Sequence, residues 1–157
     1  MNLYQRLNDP MEFATEIAKK SFNKIDIPIA CVIVNSKKEL ISYACNNVIE
    51  KSDCTAHAEI EAIRKACLVV KDHRLFDMSL YVTLEPCVMC ESAIYQARIK
   101  EVFFGAYNNN FRNNFKNIRR KYDSGRKNFQ FFGGFQEEEN STLLKKYFRE
   151  IRKRNQS

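Results

Sequence analysis

The sequence contains few of the residues that break regular structure, and it has no long apolar run. Only 4 glycines and 3 prolines occur in 157 residues, whereas 45% of the residues are hydrophobic, so the composition does not indicate disorder. No apolar stretch approaches the roughly 18 residues that a membrane-spanning helix needs. The N-terminal residues also lack the apolar core of a signal peptide. We therefore expect a cytoplasmic protein, without membrane contact, that forms one domain over residues 1–157.

Histidine is scarce as well, which limits the metal sites that this chain could form. The two histidines are His57 and His73, against six cysteines. In a cytoplasmic protein, cysteines are more often reduced thiols or metal ligands than a disulfide framework. Cys31, Cys45 and Cys67 lie in apolar stretches, where free cysteine behaves as a small buried hydrophobe. His73 lies in a charged stretch and is expected at the surface.

Positive charge is concentrated near the end of the chain. Residues 1–100 hold 13 Lys and Arg against 13 Asp and Glu, whereas residues 101–157 hold 13 against 6. The net charge of +7 therefore belongs to the last third. This asymmetry favours contact with a polyanion, although a solvated basic surface would give the same pattern.

Hydrophobic periodicity predicts an α/β domain in which strands and helices alternate. Strands are expected near residues 27–34, 39–45, 80–84, 102–104 and 129–132. Helices are expected near residues 10–23, 56–70, 87–98 and about 138–154, the last with a basic end. Asp9 and Thr55 are the expected N-caps of the first two helices. No regular pattern is found between residues 107 and 127, where basic residues such as Arg119 and Lys121 alternate with aromatic and asparagine residues.

Two short motifs contain the residues best suited to chemistry. The first, residues 55–59, contains His57 and Glu59; the second, residues 85–90, contains Cys87 and Cys90. One imidazole and two thiolates leave a tetrahedral position of zinc open, as in catalytic zinc sites, which activate water near neutral pH. Glu59 is then placed to transfer protons. This H-x-E…P-C-x-x-C pattern is the signature of zinc-dependent nucleobase deaminases.

Other interpretations of the C-x-x-C pair leave part of the pattern unexplained. A structural zinc site would need a fourth cysteine or histidine at ligand spacing. A thioredoxin-like redox site would give His57 and Glu59 no function. Both motifs are predicted at helix N-termini, where the helix dipole favours anionic groups and lowers the pKa of cysteine. The combination therefore favours a catalytic site with one Zn²⁺ per subunit.

Residues 53–60 and 81–90 resemble the bacterial tRNA-specific adenosine deaminase family of the cytidine/deoxycytidylate deaminase superfamily. The resemblance continues through residues 97–106 and returns at Gly133-Gly134, at residues 137–139 and at residues 143–149. It implies a three-layer cytidine-deaminase-like fold, with a central five-stranded mixed sheet flanked by helices, and a homodimer. It also implies hydrolysis of the wobble adenosine of a tRNA anticodon stem-loop, typically of an arginine tRNA, to inosine and ammonia.

The resemblance also implies a role for individual residues. The implied zinc ligands are His57, Cys87 and Cys90, with Glu59 as the proton-transfer group. The implied substrate contacts are Asn46, Ala58, Asn108 and Phe148. Among these, Asn46 matches a loop asparagine that hydrogen-bonds the flipped base.

Two positions differ from the family pattern. Cys54 stands where the family usually has proline, either as a filler or as an oxidisable thiol near zinc. Asn108 stands where an acidic residue is usual. A carboxylate that accepts from a ribose 2′-hydroxyl helps to distinguish RNA from DNA. Asn108 can accept without the charge, and we therefore expect a weaker preference for ribose than is usual in the family.

Two alternative functions remain open at the level of sequence. A free-base enzyme such as guanine deaminase shares the zinc motif and a stretch resembling residues 62–67, although the basic last third suits a polynucleotide better. A non-catalytic RNA-binding subunit with the deaminase fold is the second alternative. Such subunits usually lose the catalytic glutamate, whereas Glu59 is present here.

Overall fold

The computed structural model describes residues 2–108, 129–154 and 156. Its elements in chain order are α1 (Pro10–Lys20), β1 (Ala30–Asn35), β2 (Leu40–Cys45), α2 (Ala58–Val70), β3 (Met78–Leu84), α3 (Val88–Gln96), β4 (Glu101–Ala106), β5 (Gln130–Phe132) and α4 (Glu137–Arg154). Arg119 and Lys121, with the rest of the predicted basic and aromatic segment after Asn108, lie outside the described residues. Among the described helices, none combines the length and the apolar character that crossing a membrane requires.

The five strands form one mixed sheet in the order β2-β1-β3-β4-β5. β1 pairs antiparallel with β2 and with β3, whereas β3, β4 and β5 run parallel to one another. Helices cover both faces of this sheet. The predicted α/β fold with a central five-stranded mixed sheet is therefore confirmed.

β1 shows why the first strand is apolar at almost every position. Val32 and Val34 belong to a core cluster formed with α1, whereas Cys31 and Ile33 belong to a second cluster formed with α2 and α3. Successive side chains of a strand point to opposite faces, so a strand buried on both faces is apolar throughout. α4 contacts α1 and β4 on the first face, and α2 contacts α3 on the second.

The observed elements differ from the predicted bounds at several ends. α1 ends at Lys20 instead of residue 23, and the Ser21 hydroxyl donates to the main-chain oxygen of Ala18 at 2.8 Å. β1 begins at Ala30 instead of residue 27. Pro28 has no N–H with which to join the ladder, and the N–H of Ala30 donates to Thr83 Oγ1 at 3.1 Å.

The third helix and the strand before it also have different bounds. β3 begins at Met78, two residues earlier than predicted. α3 spans Val88–Gln96, with Cys87 before its first residue, and Arg98 beyond its C-terminus has φ 65°. This left-handed conformation is incompatible with a continuing helix.

α4 is attached to the rest of the domain through Asn140. Its amide nitrogen lies 3.2 Å from Thr15 Oγ1 in α1 and 3.1 Å from the main-chain oxygen of Gln136. Gly105 in β4 makes this approach possible, because a Cβ atom there would lie only 2.6 Å from Asn140 Nδ2 and 2.7 Å from the oxygen of Thr83. A side chain at position 105 would therefore displace either α4 or β3.

Candidate metal centre and active site

Two of the predicted metal ligands, His57 and Cys87, are the N-cap residues that directly precede α2 and α3. Both have extended backbones, with φ and ψ of −67° and 154° for His57 and of −78° and 168° for Cys87. An N-cap side chain commonly accepts a hydrogen bond from the first turn, but neither of these does so. Both side chains are therefore available to a metal ion.

The prediction that Thr55 caps α2 is wrong. The N–H and the hydroxyl of Thr55 both donate to Asp53 Oδ1, at 2.8 and 2.7 Å. Asp53 therefore holds Thr55 in a turn that precedes the helix. The consequence is that His57 takes the N-cap position and Glu59 lies in the first turn.

The three predicted ligand atoms lie at distances that suit zinc. His57 Nδ1 is 3.6 Å from Cys87 Sγ and 3.4 Å from Cys90 Sγ. Bond lengths to tetrahedral zinc require a nitrogen–sulfur separation of about 3.5 Å. All three atoms lie within 4.8 Å of one another, and no other group of three such side chains is found among the described residues. The donor set and its spacing fit Zn²⁺ and leave one tetrahedral position open.

The site favours one thiolate even without a metal ion. A hydrogen bond from Cys90, together with the neighbouring His57, lowers the pKa of Cys87 to about 4. The same hydrogen bond and burial raise the pKa of Cys90 well above its ordinary value. The interaction with Cys87 also raises the pKa of His57. Without a metal ion, hydrogen bonds therefore connect the imidazole and the two thiols, and a bound metal ion would take the place of the protons in these bonds.

Glu59 is almost completely buried beside these ligands, with 5% of its surface exposed. Burial disfavours the charged carboxylate and raises the pKa of Glu59 to about 7. A carboxyl group with a pKa near neutrality can both accept and release a proton at physiological pH. Glu59 thus has the burial and the pKa of a general acid and base.

An ion-pair network that sequence reasoning missed supports the segment before His57. The buried Glu61 pairs with Lys51 and with Arg64, the latter at 2.9 Å. Arg64 also lies 3.8 Å from Asp53. These contacts fix residues 51–55 against α2. The spacing of Glu61 and Arg64, three positions apart on a helix, was the available signal in the sequence.

The predicted substrate-contact residues occupy different parts of the fold. Asn46 directly follows β2 and is 7% exposed, and Ala58 is the fully buried first residue of α2. The main-chain N–H of Asn108, after β4, donates to Glu85 Oε2 at 3.0 Å. Phe148 is 45% exposed on α4. These placements do not test the assigned roles, which stay predictions.

Asp26 is a buried acidic residue that the sequence reasoning did not identify. It is 2% exposed, and its Oδ1 accepts from Asn46 Nδ2 at 2.9 Å. The main-chain N–H groups of Ile49 and Glu50 donate to the two oxygens of the same carboxylate, at 2.9 and 3.0 Å. The signal in the sequence was a single acid between Ile25 and Ile27, directly before a buried strand.

Comparison with protein families identifies the class to which this fold and site belong. Residues 5–106 match the sequence profile of the cytidine and deoxycytidylate deaminase zinc-binding region. This range includes both motifs and four of the five strands. The chain therefore belongs to the superfamily of these deaminases, and the prediction that it is an enzyme of this kind is confirmed.

Individual relatives define the branch more closely. The chain is 36% identical over 146 residues to the tRNA-specific adenosine deaminase of Rickettsia bellii, covering 90% of this chain and 99% of the relative. A solved structure from studies of A-to-I editing by tRNA:A34 deaminases at the wobble position of transfer RNA has a TM-score of 0.77 and 34% identity, with coverage of 86% and 98%. The chain belongs to the tRNA-specific adenosine deaminase family.

Guanine deaminases are also similar. The enzyme from Nitrosomonas europaea shares the fold over 91% of this chain, with a TM-score of 0.77 and 20% identity. The structure of guanine deaminase from Bacillus subtilis has 43% identity and a TM-score of 0.60, with 62% of each chain covered. A match over 90% of the chain, by contrast, must extend well beyond residue 106. The sequence resemblance to the Rickettsia bellii enzyme therefore extends into the basic last third of this chain.

Proposed function

We infer that this protein hydrolyses adenosine to inosine at the wobble position of a tRNA anticodon, with an arginine tRNA as the expected substrate. One observation carries the inference: the similarity to a tRNA-specific adenosine deaminase extends over 90% of the chain. The similarity therefore includes much of residues 101–157, which contain 13 basic residues and 6 acidic ones. Such a charge excess attracts the phosphate backbone of RNA.

The chemistry follows from the four residues at the helix starts. His57, Cys87 and Cys90 would hold one Zn²⁺ per subunit, and bound zinc makes water nucleophilic near neutral pH. Glu59 takes a proton from the attacking water and passes protons to the purine ring nitrogen and to the departing amine. Water and adenosine thus yield inosine and ammonia, and Glu59 returns to its initial state.

The remaining predicted residues hold the substrate. Asn46, in the loop after β2, and Ala58, next to His57, position the flipped base, whereas Asn108 and Phe148 contact the neighbouring nucleotides. The basic end of α4, with Arg152, Lys153 and Arg154 in its last turn, follows the RNA backbone. We further propose that the enzyme is a cytoplasmic homodimer.

Guanine deamination is the second candidate, and the similarity to the B. subtilis enzyme supports it. That similarity leaves more than a third of the chain unaccounted for. A non-catalytic RNA-binding role is less consistent with the site, because Glu59 is present, buried and adjacent to the ligands.

The deciding experiment incubates zinc-loaded protein with an arginine tRNA anticodon stem-loop and measures conversion of adenosine to inosine. Glu59→Ala is the control, and conversion by the unaltered protein should disappear in this variant. Absence of conversion by the zinc-loaded unaltered protein would contradict the proposal. Release of ammonia from free guanine would then support the alternative.

A further inference from the structure

The buried carboxylate of Asp26 connects three parts of one loop. Its three hydrogen-bond donors are Asn46, Ile49 and Glu50, which lie 20 to 24 positions further along the chain. A buried carboxylate without partners would be costly, because it loses its hydration. Here the lost hydration is replaced by donors from one loop, so Asp26 determines the conformation of that loop.

Asp26 also determines which way the amide of Asn46 faces. The N–H groups of Ile49 and Glu50 can only donate, so both oxygens of Asp26 act as acceptors. Only the nitrogen of the Asn46 amide, and not its oxygen, can then face Asp26. Without this contact the last torsion of asparagine is broad and roughly two-fold, which permits both orientations. The contact therefore fixes the orientation of the Asn46 amide, and with it the positions of the carbonyl oxygen and of the second N–H.

The loop that Asp26 holds is joined to the metal site through the main chain. The N–H of Asn46 donates to the oxygen of Ile29 at 3.0 Å, and the N–H of Asn47 donates to the oxygen of Ala56 at 2.9 Å. Ala56 immediately precedes His57. Asn46 is thus fixed relative to the metal ligands by its backbone and relative to Asp26 by its side chain.

We propose that Asp26 is a positioning residue for base recognition, which fixes the amide of Asn46 so that its free N–H and its carbonyl oxygen meet the purine edge in one order only. This inference rests on the proposed function in that it takes Asn46 to contact the base. Asp26 itself does not touch the substrate. Its loss would permit the reversed amide, which presents an acceptor where the base needs a donor.

A double-mutant cycle tests this coupling with Asp26→Ala, Asn46→Ala and the combined variant, using kcat/KM for the anticodon stem-loop. Asp26→Ala should lower kcat/KM on the order of tenfold in the unaltered background, within the range of residues in direct contact. In the Asn46→Ala background, the same change should have almost no effect. Equal losses in both backgrounds would overturn the inference, because they would indicate a general structural role. Asp26→Ser provides the same cycle if Asp26→Ala does not fold.

Tyr147→Phe is the matched control for a nearby structural bond. The Tyr147 hydroxyl donates at 2.7 Å to the main-chain oxygen of Ile25, next to Asp26. Its effect on kcat/KM should be the same with and without Asn46→Ala. A coupling as large as that of Asp26 would show that any damage to this region acts through Asn46, and would overturn the specific role of Asp26.

A second measurement does not depend on activity. In ¹⁵N-edited NMR spectra, the side-chain amide signals of Asn46, assigned by their loss in Asn46→Ala, should shift strongly in Asp26→Ala. Unchanged signals would overturn the proposal even if the enzyme is active. If the unaltered protein fails to convert the stem-loop adenosine while these signals shift as expected, the proposed substrate is wrong and the positioning of Asn46 by Asp26 stands.

Discussion

The region that contains the metal ligands and the region that follows β4 differ in charge and in their relatives. Up to residue 100 the acidic and basic residues balance, whereas the remainder has 13 basic residues against 6 acidic ones. The superfamily profile ends at residue 106, and the resemblance to a tRNA-specific relative extends well beyond it. On the basis of this difference, we propose that the first region determines the reaction and the second selects the substrate. The experiments below are ways to test this division.

The largest effect is expected from Cys90→Ser, which alters the first region. A hydroxyl group is a much poorer zinc ligand than a thiolate, so bound zinc and deamination should both be lost. Zinc content is measured by atomic emission, alongside inosine formation. Cys54→Ser is the matched control, because Cys54 is exposed and is not one of the three grouped ligands. A Cys90→Ser variant with full zinc content would contradict the assignment.

Glu59→Gln should stabilise the metal-free protein at alkaline pH. Burial raises the pKa of Glu59 from 4.5 to about 7. As the pH rises from 4.5 to about 7, the unfolded chain releases the proton of Glu59 while the folded protein retains it. Folding therefore becomes less favourable over this pH range. Glutamine avoids this loss, which amounts to about 3 kcal/mol once the pH exceeds 7.

Urea denaturation of chelator-treated protein measures this effect. The difference in the free energy of unfolding between Glu59→Gln and the unaltered protein should be near zero below pH 4.5 and largest at pH 8. A difference that does not change with pH would show that Glu59 is not the titrating group. Ionisation of Glu59 would then not lower the free energy of unfolding.

Charge reversal on α4 tests the second region. Lys145 and Arg149 are exposed on this helix, and Lys145→Glu with Arg149→Glu should weaken tRNA binding on the order of tenfold at moderate salt. The slope of log K against log salt concentration should fall by about 2, because two phosphate contacts are lost. Lys37→Glu with Lys38→Glu, in the turn between β1 and β2, is the matched control. Equal weakening by both pairs would indicate only a general charge effect.

The smallest effect is expected from Asn108→Asp, at the boundary between the two regions. The unaltered protein should deaminate matched RNA and DNA hairpins at more similar rates than is usual for the family. Restoring a carboxylate should raise the ratio of the RNA rate to the DNA rate about fivefold, the contribution of one hydrogen bond. A strict requirement for RNA in the unaltered protein would reject the hypothesis.

Sequence patterns predicted the fold well where periodicity determines it. The apolar run of β1 indicated a strand buried on both faces, and the two helix starts placed His57 and the two cysteines close together. Helix ends were less predictable, because they depend on local competition. Thr55 is a good N-cap by type, but its hydrogen bonds to Asp53 hold it in the preceding turn, and His57 is the N-cap of α2.

Sequence patterns did not predict contacts between residues that are far apart in the chain. Asp26 resembles an ordinary loop residue in the sequence, since its role depends on donors from residues 46–50. The ion pairs of Glu61 could be anticipated for Arg64, on the same helix, but not for Lys51. Both cases depend on how the loop after β2 folds back, which periodicity does not specify.

The junction of Asn140 with Thr15 and Gly105 has a consequence for how the protein is made. Asn140 and Thr15 are separated by 125 positions, so the contact that attaches α4 forms only after nearly the whole domain has left the ribosome. His57, Cys87 and Cys90 are all synthesised well before α4. During translation, the residues that we propose to bind the metal ion are therefore synthesised before the helix that we assign to RNA contact.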